Sequence, residues 1–176
     1  MKTKFTMVAA IAGCLMFSGC SGEPGESKTS VAAPVQVEPE LQAMIVKEKG
    51  PEQFVGVAQA KEQSADGEEV VLTGRLKDFV GGKSAFTVVD GSVRSCLEMG
   101  DEDHCDTPWD YCCEPRENLT KNSLLVKVVN ADGKMFNSEV KGVSSLDHLS
   151  TVVVTGKMNR DEAGEVTLDA SKIYIQ

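Results

Sequence analysis

Four cysteines, Cys96, Cys105, Cys112 and Cys113, fall within 22 residues in the spacing C-x8-C-x6-C-C. Thiols packed this densely support two kinds of chemistry. The first is covalent: an even number of cysteines in an exported chain reads as a disulfide framework, and four allow three pairings. A bond between the adjacent Cys112 and Cys113 would close an awkward ring, so the expected framework joins each of them to one of Cys96 and Cys105. Closing loops of this length stabilises by about 3 kcal/mol per bridge in the chain-entropy picture. The alternative is a Zn or Cu site formed by Cys96, His104, Cys105, Cys112 and Cys113, since thiolate and imidazole are the ligands those ions favour. Against it, the C-x2-C knuckle of zinc motifs is absent. Disulfides with no cofactor are the primary expectation, and metal or redox chemistry is the alternative.

The surroundings of these thiols are as unusual as their spacing. Residues 96–117 carry eight acids against the single base Arg116, in a chain with 27 acidic and 18 basic residues and a formal charge of −9. Most of the net charge therefore sits in one segment, which also holds the only tryptophan, Trp109, beside Tyr111. Such rings commonly cover a disulfide and form a small local core. The acids lack the spacing of a calcium-binding EF-hand loop. No nucleophile–base motif, phosphate loop or C-x-x-C pair occurs, and His148 reads as a surface or packing residue, so no enzyme is expected.

The amino terminus states where the chain goes. Lys2 and Lys4 precede the uncharged apolar run Phe5–Phe17, which is too short to span a bilayer and reads as an export signal. Phe17-Ser18-Gly19-Cys20 then resembles the lipobox of bacterial lipoproteins, with Phe where Leu is commonest. That resemblance implies removal of residues 1–19 and lipid attachment at Cys20. Several acyl chains on one residue anchor stably, whereas one alone binds reversibly. It also implies a place in the bacterial cell envelope. Ser21 after the lipid site favours the outer membrane, facing the periplasm. Residues 20–50, with Pro24, Pro34 and Pro39 among small and polar residues, read as a flexible tether.

Beyond the tether, Pro51, Phe54, Val57 and Ala58 suggest a short helix over 51–66, and the period changes to two after Gly67. Strands are expected at 70–76, 84–89, 124–129, 151–158 and 166–175, with one or two helical turns at 144–149 capped by Ser144 or Ser145. In the last strand Val166, Leu168 and Ala170 fall out of phase with Ile173 and Ile175, which calls for a bulge near Ser171. Gly74 and Gly156 suit the tight coiling of a small barrel.

This order over residues 67–176 resembles the OB-fold, a five-stranded Greek-key barrel with a helix between its third and fourth strands. The fold class expected is therefore mainly β, with the cysteine-rich acidic insert of 96–117 between strands two and three. OB-folds that bind nucleic acid stack bases on aromatics of strands two and three and follow phosphates with basic residues. Here those strands offer Phe86, with Lys83 and Lys127 nearby, on an acidic chain, so oligonucleotide binding is the least favoured reading and no nucleic-acid partner is expected. The expected partners are the membrane, through the anchor, and an unknown envelope protein or small ligand. Loops 78–83 and 159–165, with the insert, are the expected contact surface.

Overall fold

The computed structural model describes residues 37–100 and 105–176; the segment read as a signal, Cys20 read as the lipid site, and His104 lie outside them. Described structure begins inside the segment read as a tether. A six-residue helix, α1 (Pro39–Met44), opens with proline in its first turn, where the missing N–H costs nothing. It leads into a two-residue strand, β1 (Ile45–Val46). Leu41 in α1 and Ile45 in β1 are 0% and 1% exposed. The tether boundary at residue 50 is thus corrected to a point before residue 39.

The helix expected over 51–66 is also shorter. Val55–Gly56 forms a second short strand, β2, and only Val57–Gln63 is helical, as α2. Pro51 lies outside it. The turn at α2's start is held from a distance: Asp90 Oδ2 accepts the Ala58 N–H at 3.3 Å, while Oδ1 accepts the Ser92 N–H at 3.0 Å. An acceptor at this place does the work of a helix cap.

Five long strands follow: β3 (Glu69–Phe79), β4 (Ala85–Val89), β5 (Ser123–Val128), β6 (Thr151–Arg160) and β7 (Val166–Ile175). β3 pairs antiparallel with β4, and β4 antiparallel with β5. β5 then pairs parallel with β7, β7 antiparallel with β6, and β6 antiparallel with β3, which closes the circuit. That cycle is the OB-like Greek-key barrel, and closure leaves its main strands without a free edge. β1 adds to β7 and β2 to β3, both parallel.

Alternation along β3 sends Val70, Leu72 and Leu76 inward to meet Phe86, Val126, Val154 and Leu168. Burying one such side chain contributes roughly 1.5–3 kcal/mol. The phase break in β7 is real: Thr155 faces Lys172 while Gly156 faces Ala170, which leaves Ser171 as the extra residue. The bulge returns Ile173 to the core side.

The amino-terminal elements close the two ends. α2 lies across the end where β5 begins and β6 ends, for Lys61 Nζ donates to the carbonyls of Thr120 and Ser123 at 2.7 Å, and Arg160 to those of Lys61 and Ser64. At the opposite end Ser144 Oγ donates to the Ile45 carbonyl at 2.6 Å. The helix between β5 and β6 is a single 3-10 turn, Val143–Ser145, capped by Gly142 and not by either serine. Ser144 and Ser145 have φ of 51° and 70°, left-handed values that stop a helix from propagating.

Candidate functional site

The insert leaves the barrel after Val89 and rejoins it at Ser123, and it is not a bare loop. Its first helix, α3 (Cys96–Met99), is preceded by Ser95, whose N–H and Oγ both donate to Glu98 Oε2 at 2.8 and 3.1 Å. A second, α4 (Arg116–Asn122), runs into β5. Between them the chain doubles back: the Cys96 N–H donates to the Asp110 carbonyl at 2.9 Å and the Leu97 N–H to that of Pro108 at 2.8 Å.

Three apolar side chains fasten this segment to the outside of the barrel. Val89, Val93 and Tyr111 form a core separate from the barrel interior, flanked by Leu119 and Leu149. Tyr111 is 0% exposed. Two outward residues of β3 hold the insert by charge. Arg75 pairs with Glu98 at 2.5 Å and donates to the Val93 carbonyl, and Lys77 pairs with Asp110 at 2.9 Å. Trp109 lies near the carboxyl end of β3, its ring centroid 5.4 Å from that of His148. His148 itself bonds the Lys77 carbonyl through Nδ1 at 2.5 Å and packs edge-on against Phe79, which is the packing role expected of it. A small cleft of about 330 Å³ opens between Trp109, Lys141, Asp147 and His148.

The four thiols gather at the outer end of this platform. Cys112 Sγ lies 3.2 Å from Cys96, 3.7 Å from Cys105 and 4.0 Å from Cys113, and Cys96 lies 3.8 Å from Cys113. They are thiols in this structure. Cys96 is fully buried; Cys112 and Cys113 are exposed. Burial works to raise the Cys96 pKa, but hydrogen bonding with Cys112 and Cys113 brings it below the ordinary thiol value. Hydrogen bonding with Cys96 and then with Cys105 pushes Cys112 up to about 12. The sequence singled out all four residues; that Cys112 is their common neighbour required the fold.

Two expectations about the surface change. Loops 78–83 and 159–165 do not share a face. In the β3–β6 register Glu69 faces Lys157, and the Arg160 N–H reaches Asp66, so 159–165 lies beside the start of β3 while 78–83 follows its end. Antiparallel pairing of the two strands forces this separation. Phe86, the aromatic that strands two and three offered, is 0% exposed inside the barrel, where no base could reach it.

The ion pairs make the attachment acid-sensitive. The Arg75 hydrogen bond and the Ser95 N–H hold the Glu98 carboxyl below its usual pKa; for Asp110, burial pulls upward but Lys77 and the Tyr111 N–H outweigh it. Carboxylates whose folded pKa is depressed stabilise above their unfolded pKa and lose that contribution as pH falls through the folded one. The insert is therefore expected to loosen below about pH 4, near the unperturbed carboxylate range. Trp109 fluorescence should change before the far-ultraviolet circular dichroism of the barrel does. Coincident transitions would contradict this.

No protein-family model matches the chain, and no curated protein does. Among solved structures it is similar to the hypothetical protein ygiW from E. coli, at 14% identity over 73% of this chain and 100% of that one, with a TM-score of 0.41. It is also similar to two OBodies bound to hen egg-white lysozyme. AM1L10 has 16% identity, 73% and 95% coverage and a TM-score of 0.42; AM2EP06 has 15%, 73% and 96%, and 0.40. The OB-like description of this barrel rests on its own strand circuit. Among the described residues no helix is long and apolar enough to cross a membrane.

Proposed function

We propose that the protein is a non-enzymatic, lipid-anchored binding module of the bacterial cell envelope, in which the OB-like barrel is a rigid stem and the acidic insert meets a cationic partner, a protein segment or small ligand. The observation that carries this reading is the docking of the insert. A segment meant only as a spacer has no need of a buried Tyr111, a separate apolar core and ion pairs from Arg75 and Lys77. Holding Asp106, Glu114 and Glu117 on a docked segment lowers the ordering cost of binding. The lipobox supports the anchor: Phe17-Ser18-Gly19-Cys20 supplies the cleavage site, and Ser21 favours the outer membrane, facing the periplasm.

The anchor is tested with Cys20→Ala, which should leave uncleaved precursor without fatty-acid label; label persisting in this variant rejects it. The binding surface is tested with an oligolysine peptide at two salt concentrations. Neutralising Asp106 and Glu117 as Asn and Gln should weaken binding several-fold, while the same change at Asp132 and Glu162 should not, and the difference should shrink in high salt. Equal losses from the two pairs would show that net charge alone attracts the peptide, and would remove the insert from the proposal.

A further inference from the structure

The arrangement of the sulfurs separates the two chemistries that the spacing left open. A disulfide consumes a sulfur's capacity for one partner, so a framework of two bridges sorts four cysteines into pairs. Here Cys112 has three sulfur neighbours within 4.0 Å, and Cys96, Cys112 and Cys113 form a triangle with edges of 3.2, 3.8 and 4.0 Å. Thiolates sharing one ion at about 2.3 Å stand about 3.8 Å apart in tetrahedral geometry and about 4.0 Å apart in trigonal geometry. Two edges of the triangle match those separations, and the third is shorter.

The backbone around the triangle is arranged as a ligand site needs it. Residues 111–114 form a tight turn, closed by the Glu114 N–H on the Tyr111 carbonyl at 3.0 Å. Cys112 and Cys113 are its two central residues, and the turn holds both their sulfurs beside that of Cys96. Tyr111, buried in the outer core, fixes one end of the turn, and the clamp of 96–97 against 108–110 fixes Cys96 opposite it. The triangle is thus set by packing that does not involve the sulfurs themselves. Cys96 is buried beneath, while Cys112 and Cys113 face solvent, which gives an ion a route in.

We propose that Cys96, Cys112 and Cys113 form a three-thiolate site for a soft d10 cation, Zn²⁺ or Cu⁺, with Cys105 as the fourth ligand where the ion takes four. Each ligating thiol releases its proton to water as its sulfur bonds the metal, and no electron is transferred. Cys105, 3.7 Å from Cys112 but outside the close triangle, distinguishes the ions: Zn²⁺ favours four ligands, and three thiolates satisfy Cu⁺. The site rests on the fold of the insert and does not depend on the lipid anchor.

The test uses the full chain carrying Cys14→Ala and Cys20→Ala, so that only the four insert thiols remain, purified in detergent and reduced without oxygen. It is titrated with Zn²⁺ alone and with Cu⁺ alone against a chromophoric chelator. One ion per chain is expected, and the bound ion should protect the exposed Cys112 and Cys113 from alkylation as mapped by mass spectrometry. Cys112→Ser should weaken both ions by roughly tenfold or more, and Cys105→Ser should weaken Zn²⁺ alone. The alkylation map on the parent chain keeps the test decisive if a variant fails to fold. Failure of the reduced parent to bind either ion, or binding that Cys112→Ser leaves unchanged, overturns the proposal.

Discussion

Replacing Gly156 with alanine is expected to destabilise the barrel by about 3 kcal/mol, at the upper end of the range for overpacking in a well-packed site. Gly156 lies where β6 crosses the bulge in β7. A Cβ placed there stands 2.4 Å from the Asp169 carbonyl oxygen and 2.9 Å from the Ala170 Cα. Both are backbone atoms of a paired strand, so no side-chain rotation relieves the contact. The ladder on either side, Thr155 with Lys172 and Lys157 with Asp169, would have to separate. For a domain of this size the loss corresponds to a fall in Tm of about 10 °C. Gly74 is similarly placed, since a methyl group there would stand 2.8 Å from the Val89 carbonyl oxygen, and it serves as a second site for the same measurement. Melting of Gly156→Ala within about 2 °C of the parent, well under that expected fall, would mean that the barrel is less tightly coiled than the register implies.

A chain that starts at Pro51 is expected not to fold at all. It lacks Leu41 and Ile45, both essentially unexposed and both part of the barrel's main core, and it lacks the pairing of Ile45 with Ile173. Losing a large aliphatic side chain from a core costs about 2–5 kcal/mol. Two of them rival the whole stability of an ordinary domain, about 5–15 kcal/mol. The open barrel end would also lose the Ser144 hydrogen bond to Ile45. A chain starting at Val37 keeps all of these groups and should melt cooperatively. Equal stability of the two shortened chains, by thermal or urea unfolding, would restore residues 37–50 to the tether.

What the sequence made legible follows from the range of the forces involved. Strand alternation is local, so the five barrel strands, and even the misfit that marks Ser171, can be read from neighbouring residues. Leu41 and Ile45 carried their own signal, an i,i+4 apolar pair, but six residues of helix among prolines and glutamates look like linker until a groove exists to receive them. The insert failed to announce its core for the same reason: Val93 and Tyr111 are eighteen residues apart, and only the outer face of β3 brings them together. The cysteines could be named from composition, whereas their triangle depends on where Tyr111 is buried. The separation of loops 78–83 and 159–165 is a matter of topology, invisible to any local pattern.

Val89 and Ser123, where the insert departs and returns, are directly paired across β4 and β5, and the Asp90 N–H bonds the Asn122 carbonyl just beyond them at 2.8 Å. Everything from 90 to 122 therefore hangs from a doorway one hairpin wide, and the strand circuit is complete without it. A turn of two residues could join the same two strands with every barrel ladder kept. The segment that carries the thiols, the acids and the tryptophan is in this sense a detachable cartridge, free to vary in length and chemistry while the housing that holds it stays the same.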